Sequence, residues 1–217
     1  MDFKEFSSII SDKFPLTTPL QMEQFAALEG LYNDWNSKIN VISRKDMDGL
    51  YLHHVLHSLA IAAYMKAVRS PEDLSGEILD LGTGGGFPGI PLAILYPEAR
   101  FTLCDSVGKK TIVASEVAKA INLQNVDVVN ARAESLGKTF DYVVSRAVTS
   151  LDNFYPWVKG KFTKRILYLK GGDVVEEIAT LMGKNRMKKG QVGTFRIQDW
   201  VNDEYFEGKL VIDIAKR

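Results

Sequence analysis

The residues best suited to chemistry sit in one stretch and at three later points of the chain. Residues 77–97 read EILDLGTGGGFPGIPLAILYP: an apolar run, a glycine cluster, then an apolar segment opened by proline. Glycines at such a point let the backbone turn sharply and approach a ligand at the carboxyl end of a strand. Gly82 and Gly84 are therefore candidate contacts, and Asp80 can orient the loop and reach a ligand's ammonium through water. Asp105 ends the next apolar run, about twenty residues on, where a carboxylate can accept from both hydroxyls of a ribose. A third run leads into ARAES, where the Ala133 backbone and the Glu134 side chain can meet an adenine ring. Glu134 can equally be a plain first-turn helix carboxylate. Arg146, in SRAVTS after the fourth run, can hold a cofactor or a phosphate, or pair with guanine O6 and a neighbouring acceptor. The bland alternative for Arg146 is an ion pair at the strand end.

These positions need a scaffold that brings strand ends together. From residue 77 onward, short β-rich runs (EILDLG, RFTLCD, VDVVN, FDYVVSRA, RILYLKG) alternate with helix-length segments. That alternation predicts βαβ units, hence a doubly wound, mostly parallel α/β sheet of the Rossmann-like kind. VGTFRIQDW and KLVIDIAKR, joined by a short polar link, suit an antiparallel C-terminal hairpin. Between the second and third runs, Val113, Val117, Ala120 and Ile121 form a helix stripe, with Ser106 placed to cap its start. Residues 1–70 carry no β run. Phe25, Leu28, Tyr32 and Trp35 make one apolar stripe, and Leu52, Val55, Leu56, Leu59 and Ala63 another. The expected division is a helical lobe at 1–70 packed on a main domain at 71–217.

The glycine pattern bears on the cofactor. Gly84, Gly86 and Gly89 formally satisfy G-x-G-x-x-G, but the run already ends at Gly82, and counting from there puts Phe87 at the third glycine position. Asp80 beside the loop would repel a pyrophosphate, whereas S-adenosylmethionine carries no phosphate. Asp105 fits either cofactor. After the fourth run there is neither a Pro-Pro-aromatic turn, as used for exocyclic amines, nor a cysteine nucleophile, since Cys104 falls on the second strand as a core residue. A nucleophile that already owns a lone pair, such as guanine N7, needs neither device. Two rivals stand beside an S-adenosylmethionine-dependent methyltransferase: a nicotinamide-dependent oxidoreductase, and a non-catalytic RNA-binding module.

Bulk composition narrows the classes. At 217 residues, 46% hydrophobic and 25% charged, the chain suits a globular protein with one main core. No run of eighteen apolar residues and no signal-peptide pattern is present, so a cytoplasmic protein without a membrane partner is expected. The single cysteine agrees with a reducing compartment. Net charge is zero, yet residues 159–189 hold nine bases (Lys159, Lys161, Lys164, Arg165, Lys170, Lys184, Arg186, Lys188, Lys189) against three acids. Those bases either converge on a phosphate-binding surface or are solvated charges. His53 and His57 stand four apart, but His54 occupies the glutamate position of H-E-x-x-H and no third ligand is evident, so no metal is expected. A polar helix face is the reading preferred for the three histidines.

The segments LYNDWNSKINVISRKD, HHVLHSLAI, DLGTGGGFPGIPLAI, DSVGKKTIVASEVAKAINLQNV, ARAES, FDYVVSRA and LKGG resemble, in that order, the bacterial RsmG (GidB) family, over roughly residues 30–172. The resemblance implies a class I methyltransferase fold and methyl transfer from S-adenosylmethionine to guanine N7 of 16S ribosomal RNA. The implied partner is that RNA or the small ribosomal subunit, and the protein is separately expected to be a monomer. It implies a cofactor site at Gly82, Phe87, Ala133, Glu134 and Arg146, with Asp105 at the ribose. It also implies that Asn36, His54, Arg146 and Lys170 lie near the RNA or the transferred methyl. Where the family pattern after His54 has x-Leu-Asp-Ser, this chain has Val55, Leu56, His57 and Ser58.

Overall fold

Each β-rich run becomes a strand because it alternates side chains between two apolar layers. A computed structural model describes residues 1–216. Strands β1 (Glu77–Leu81), β2 (Arg100–Asp105), β3 (Val126–Asn130), β4 (Phe140–Arg146), β5 (Phe162–Gly171), β6 (Val192–Arg196) and β7 (Lys209–Ala215) form one sheet in the order β3-β2-β1-β4-β5-β7-β6. The first five pair in parallel, while β7 runs antiparallel between β5 and β6. The C-terminal hairpin is thus present. Its link is longer than the sequence suggests, because the strand ends at Arg196 and two 3₁₀ turns, Ile197–Asp199 and Glu204–Phe206, follow.

Helices α1 (Phe3–Lys13) and α2 (Pro19–Lys38) each open with a capping box, Asp2 with Glu5 and Thr18 with Gln21. A continuous helical run covers Leu50–Arg69, with π-type hydrogen bonding at Leu50–Leu56 and Met65–Arg69 around α3 (His57–Tyr64). Its apolar stripe is wider than the sequence indicates: every residue from Val55 to Met65 is buried, so this is a central helix rather than a one-sided surface one. With α4 (Gly89–Leu95) and α5 (Gly108–Ala120), these elements share one buried cluster with Ile78, Phe101, Leu103, Tyr142 and Val144 of the sheet. Helices α6 (Leu151–Val158) and α7 (Val175–Asn185) cover the opposite face, against Leu79, Cys104, Val143, Ile166 and Tyr168. Ser106 does not cap α5: the Asp105 carboxylate accepts from Val107 N at 2.8 Å instead. Ala120 is exposed, and the buried side of α5 is Thr111, Val113, Ala114, Val117 and Ala118.

Strand parity fixes what each layer sees. Asp80 follows Ile78, and Arg146 follows Tyr142 and Val144, so both project toward the N-terminal helices. Lys170 follows Ile166 and Tyr168 and projects toward α7.

Candidate functional site

The carboxyl ends of β1, β2 and β4, with the turn after β3, surround a cavity of about 560 Å³, the position expected for a ligand in an open α/β sheet. Gly82, Asp105, Ala133, Glu134 and Arg146 line it together. Ser106, which the sequence offers only as a helix cap, lines it too, as do Lys110, Arg132, Val148 and Trp157. Trp157 lies in an amphipathic helix and reads as core there, while Lys110 and Arg132 read as ordinary surface charges.

Gly82 has φ of +74°, and a Cβ there would fall 2.4 Å from Val148 Cγ2, so the turn after β1 requires glycine on both counts. Gly84 has φ of +57° with open space where a Cβ would stand, and its N–H donates to Asp105 Oδ2 at 2.9 Å. Asp105 thus ties the glycine loop and the start of α5 to the end of β2. Asp80 is fully buried: its Oδ2 accepts from Thr83 Oγ1 at 2.6 Å and from Gly89 N at 2.7 Å, and its Oδ1 has no protein partner. Burial pushes its carboxyl up to about 7, against the opposing pull of those two hydrogen bonds. Tyr32, which the sequence offers only as part of an apolar stripe, donates to Gly85 O at 2.8 Å and lies 4.8 Å from the Phe87 ring.

Arg146 is not in a strand-end ion pair. Its guanidinium donates to His53 O at 3.0 Å, lies 2.8 Å from His54 Nδ1, and stands 5.3 Å over the Phe87 ring. Burial, then the nearby arginine charge, pulls His54 down to about 3. The imidazole is therefore neutral, with Nδ1 free to accept from Arg146 and the ring proton on Nε2, which is buried without a partner. Burial likewise holds His57 well below the usual histidine range. The histidines do not form an open polar face: His57 is buried, and His53 stacks on Tyr205 with ring centroids 4.0 Å apart.

Two residues grouped with Arg146 by resemblance make their hydrogen bonds to neighbouring loops. Asn36 folds the turn after α2, accepting from Val41 N and Ile42 N and donating to Ile42 O, all at 2.8–2.9 Å. That turn sets Val41 against Gly85 of the glycine loop. Lys170 lies on the other face of the sheet from Arg146, paired with Glu177 at 2.8 Å and donating to Thr149 O at 3.2 Å. Tyr168 holds the same loop, accepting from Val148 N and Thr149 N and donating to Thr149 O. Three bases of the run 159–189 are engaged within the chain: Arg165 pairs with Asp213 and Glu72, Lys184 with Asp152, and Lys161 donates to Leu136 O.

The family described as GidB, rRNA small subunit methyltransferase G, matches residues 21–199. A ribosomal RNA small subunit methyltransferase G of Flavobacterium psychrophilum is 47% identical over 209 residues, covering 93% of this chain and 94% of the relative. One from Bacteroides fragilis is 46% identical, covering 93% and 96%. Among solved structures, magnesium protoporphyrin IX methyltransferase of Synechocystis with bound SAM has a TM-score of 0.60 at 13% identity, covering 100% of this chain and 98% of that one. A tRNA (m1A58) methyltransferase of Aquifex aeolicus has a TM-score of 0.54 at 17% identity, covering 75% and 69%. The fold is that of the class I S-adenosylmethionine-dependent methyltransferases. The chain belongs to the GidB family of rRNA small subunit methyltransferases G.

Proposed function

We propose that this protein transfers a methyl group from S-adenosylmethionine to guanine N7 of 16S ribosomal RNA, as a cytoplasmic monomer acting on the small-subunit RNA. The observation that carries the reading is the meeting of Gly82, Asp105, Ala133, Glu134 and Arg146 around one cavity in a chain of this family. Among the described residues no helix is long and apolar enough to cross a membrane. Among the described residues no group of three or more His, Cys, Asp or Glu is placed to hold a metal ion.

The residues fit the cofactor. The cavity has the size of a nucleoside-type ligand, Gly84 leaves open space beside the loop, and Asp80 Oδ1 is a buried acceptor lacking a partner. Asp105 is assigned to the ribose hydroxyls, the Ala133 backbone and Glu134 to the adenine, and Asp80, through water, to the ammonium. When bound, S-adenosylmethionine supplies an electrophilic methyl on a sulfonium.

The chain's own part is placement. After β4 stands Ala147-Val148-Thr149, with neither a Pro-Pro-aromatic turn nor a cysteine, and the buried Cys104 Sγ donates to Ala131 O at 3.3 Å. A base nitrogen with its own lone pair asks only for proximity and orientation. Arg146 offers a half-buried guanidinium held by neutral acceptors, able to pair with guanine O6. His54 holds that guanidinium, and Phe87 supports it from its ring face. Asn36 and Lys170 are assigned to the vicinity of the RNA or the transferred methyl, Asn36 from the turn beside the glycine loop and Lys170 from its tie to the loop after β4.

The test is transfer of labelled methyl to 16S RNA, naked or in small subunits, followed by mass mapping of the modified nucleotide. Label in 7-methylguanine is the expected result, and label on any other atom rejects the N7 assignment. Arg146→Ala should lower transfer about a hundredfold or more with the fold retained by circular dichroism. Wild-type turnover in that variant removes the role given to Arg146.

A further inference from the structure

We infer that Tyr205, outside the family-matched residues 21–199, is a positioning residue for Arg146, acting through the carbonyl of His53. The inference rests on the proposed role of Arg146 at the transferred methyl. Tyr205 Oη donates to His53 O at 3.1 Å, the same oxygen that accepts from Arg146 Nη1 at 3.0 Å, and lies 3.3 Å from His57 Nδ1. One carbonyl therefore carries two donors, one from the fourth strand and one from the link between β6 and β7.

The tyrosine is itself fixed on several sides. Its ring stacks on His53 at 4.0 Å with planes 17° apart, meets Phe206 edge-on at 5.1 Å, and carries the Lys209 ammonium at 3.8 Å from its centroid. Lys209 Nζ also donates to Tyr205 O. Asp203 Oδ1 accepts from Tyr205 N at 2.9 Å and caps the 3₁₀ turn that presents the ring. His53 is held in turn by Asp46 at 3.3 Å. A guanidinium whose protein partners are neutral keeps its direction only as well as those partners keep theirs. The shared carbonyl lies at the π-helical stretch Leu50–Leu56, where hydrogen bonding departs from the α pattern. Tyr205 pins that stretch at the oxygen Arg146 uses, so the C-terminal hairpin sets the aim of a residue on β4.

Tyr205→Phe keeps the stacking and the lysine contact and removes only the hydroxyl. The measurement is steady-state methyl transfer to small subunits, with S-adenosylhomocysteine affinity by calorimetry and the Arg146 Nε–H resonance by NMR, assigned from its loss in Arg146→Lys. The expected result is a kcat lower by about ten- to a hundredfold, with KM and cofactor Kd within about twofold and a shifted Arg146 resonance. Unchanged kcat overturns the inference, as does a fall in kcat with the Arg146 resonance unmoved. Wild-type turnover in Arg146→Lys overturns the reading beneath it, whereas an impaired Arg146→Lys beside a fully active Tyr205→Phe overturns this inference alone.

Discussion

Asp80 is a carboxyl with two unlike oxygens: one takes Thr83 and Gly89, and the other is buried without a partner. With its pKa pushed up to about 7, chiefly by burial, it is half-protonated near neutral pH. A ligand ammonium brought within reach favours the charged form, so that pKa falls on binding and the proton leaves. Cofactor binding at pH 7 should therefore release up to about half a proton. Calorimetric titration with S-adenosylhomocysteine in two buffers of different ionisation enthalpy reads this directly. The apparent heats should differ by the released fraction times the difference between the two ionisation enthalpies, and that difference should vanish in Asp80→Asn. Equal heats for the wild type would show that Asp80 does not sense the ammonium. Asp105→Ala is a separate case, since it loses both the proposed ribose contact and the Gly84 tether. Its cofactor affinity should weaken by ~1–3 kcal/mol, and an unchanged Kd would count against the ribose assignment.

Elements are held to one another unevenly, and a buried charged tie lies away from the cavity. Asp213 of β7, 1% exposed, accepts from Tyr64 Oη at 2.6 Å, from Arg165 Nη1 at 2.9 Å and from Arg69. It joins the end of the central helix to the sheet. Removing the carboxylate strips Arg69 of its charged partner and leaves Arg165 with Glu72 alone, so Asp213→Ala should cost about 3 kcal/mol, the low end for a broken buried pair because Arg165 keeps Glu72 and Arg69 keeps some solvent access. The exposed Lys138–Glu77 pair should matter far less, under ~1 kcal/mol for Lys138→Ala. Urea unfolding of both variants checks the contrast, and equal losses would refute it. The same elements show what the sequence could reveal. Strand runs were legible because alternation marks them, and the glycine loop, Asp105, ARAES and Arg146 were legible because they fall at strand ends. Tyr205 was not, because a polar link between two strands carries no periodic signal. The separation of Lys170 from Arg146 was hidden too, since it depends on the parity of two strands and not on either residue's type. Burial around the whole of α3 escaped notice because a stripe read from sequence cannot tell how many layers will close over it.

At the scale of the molecule, the N-terminal helices and the sheet complete each other. Phe6, Phe25, Leu28 and Tyr32 belong to the same buried cluster as Ile78, Phe101 and Leu103. Polar ties cross the same boundary: Gln21 Nε2 donates to Ile94 O at 2.7 Å, Gln24 Nε2 to Ile121 O at 2.9 Å, and Tyr32 to Gly85 O. Unfolding α1 and α2 alone would expose that apolar face and strand those carbonyls, so the helices have no cheap way to leave first. One cooperative thermal transition is expected, with calorimetric and van't Hoff enthalpies in agreement. A ligand bound beside the glycine loop must then stabilise the helices as much as the sheet. S-adenosylhomocysteine at 100 times its Kd adds about 2.7 kcal/mol, which for a chain of this length raises Tm by about 5–10 °C. Differential scanning calorimetry with and without S-adenosylhomocysteine checks both points. A leading shoulder that ignores the ligand would mean that the helices melt on their own and that the shared core does not couple them to the site.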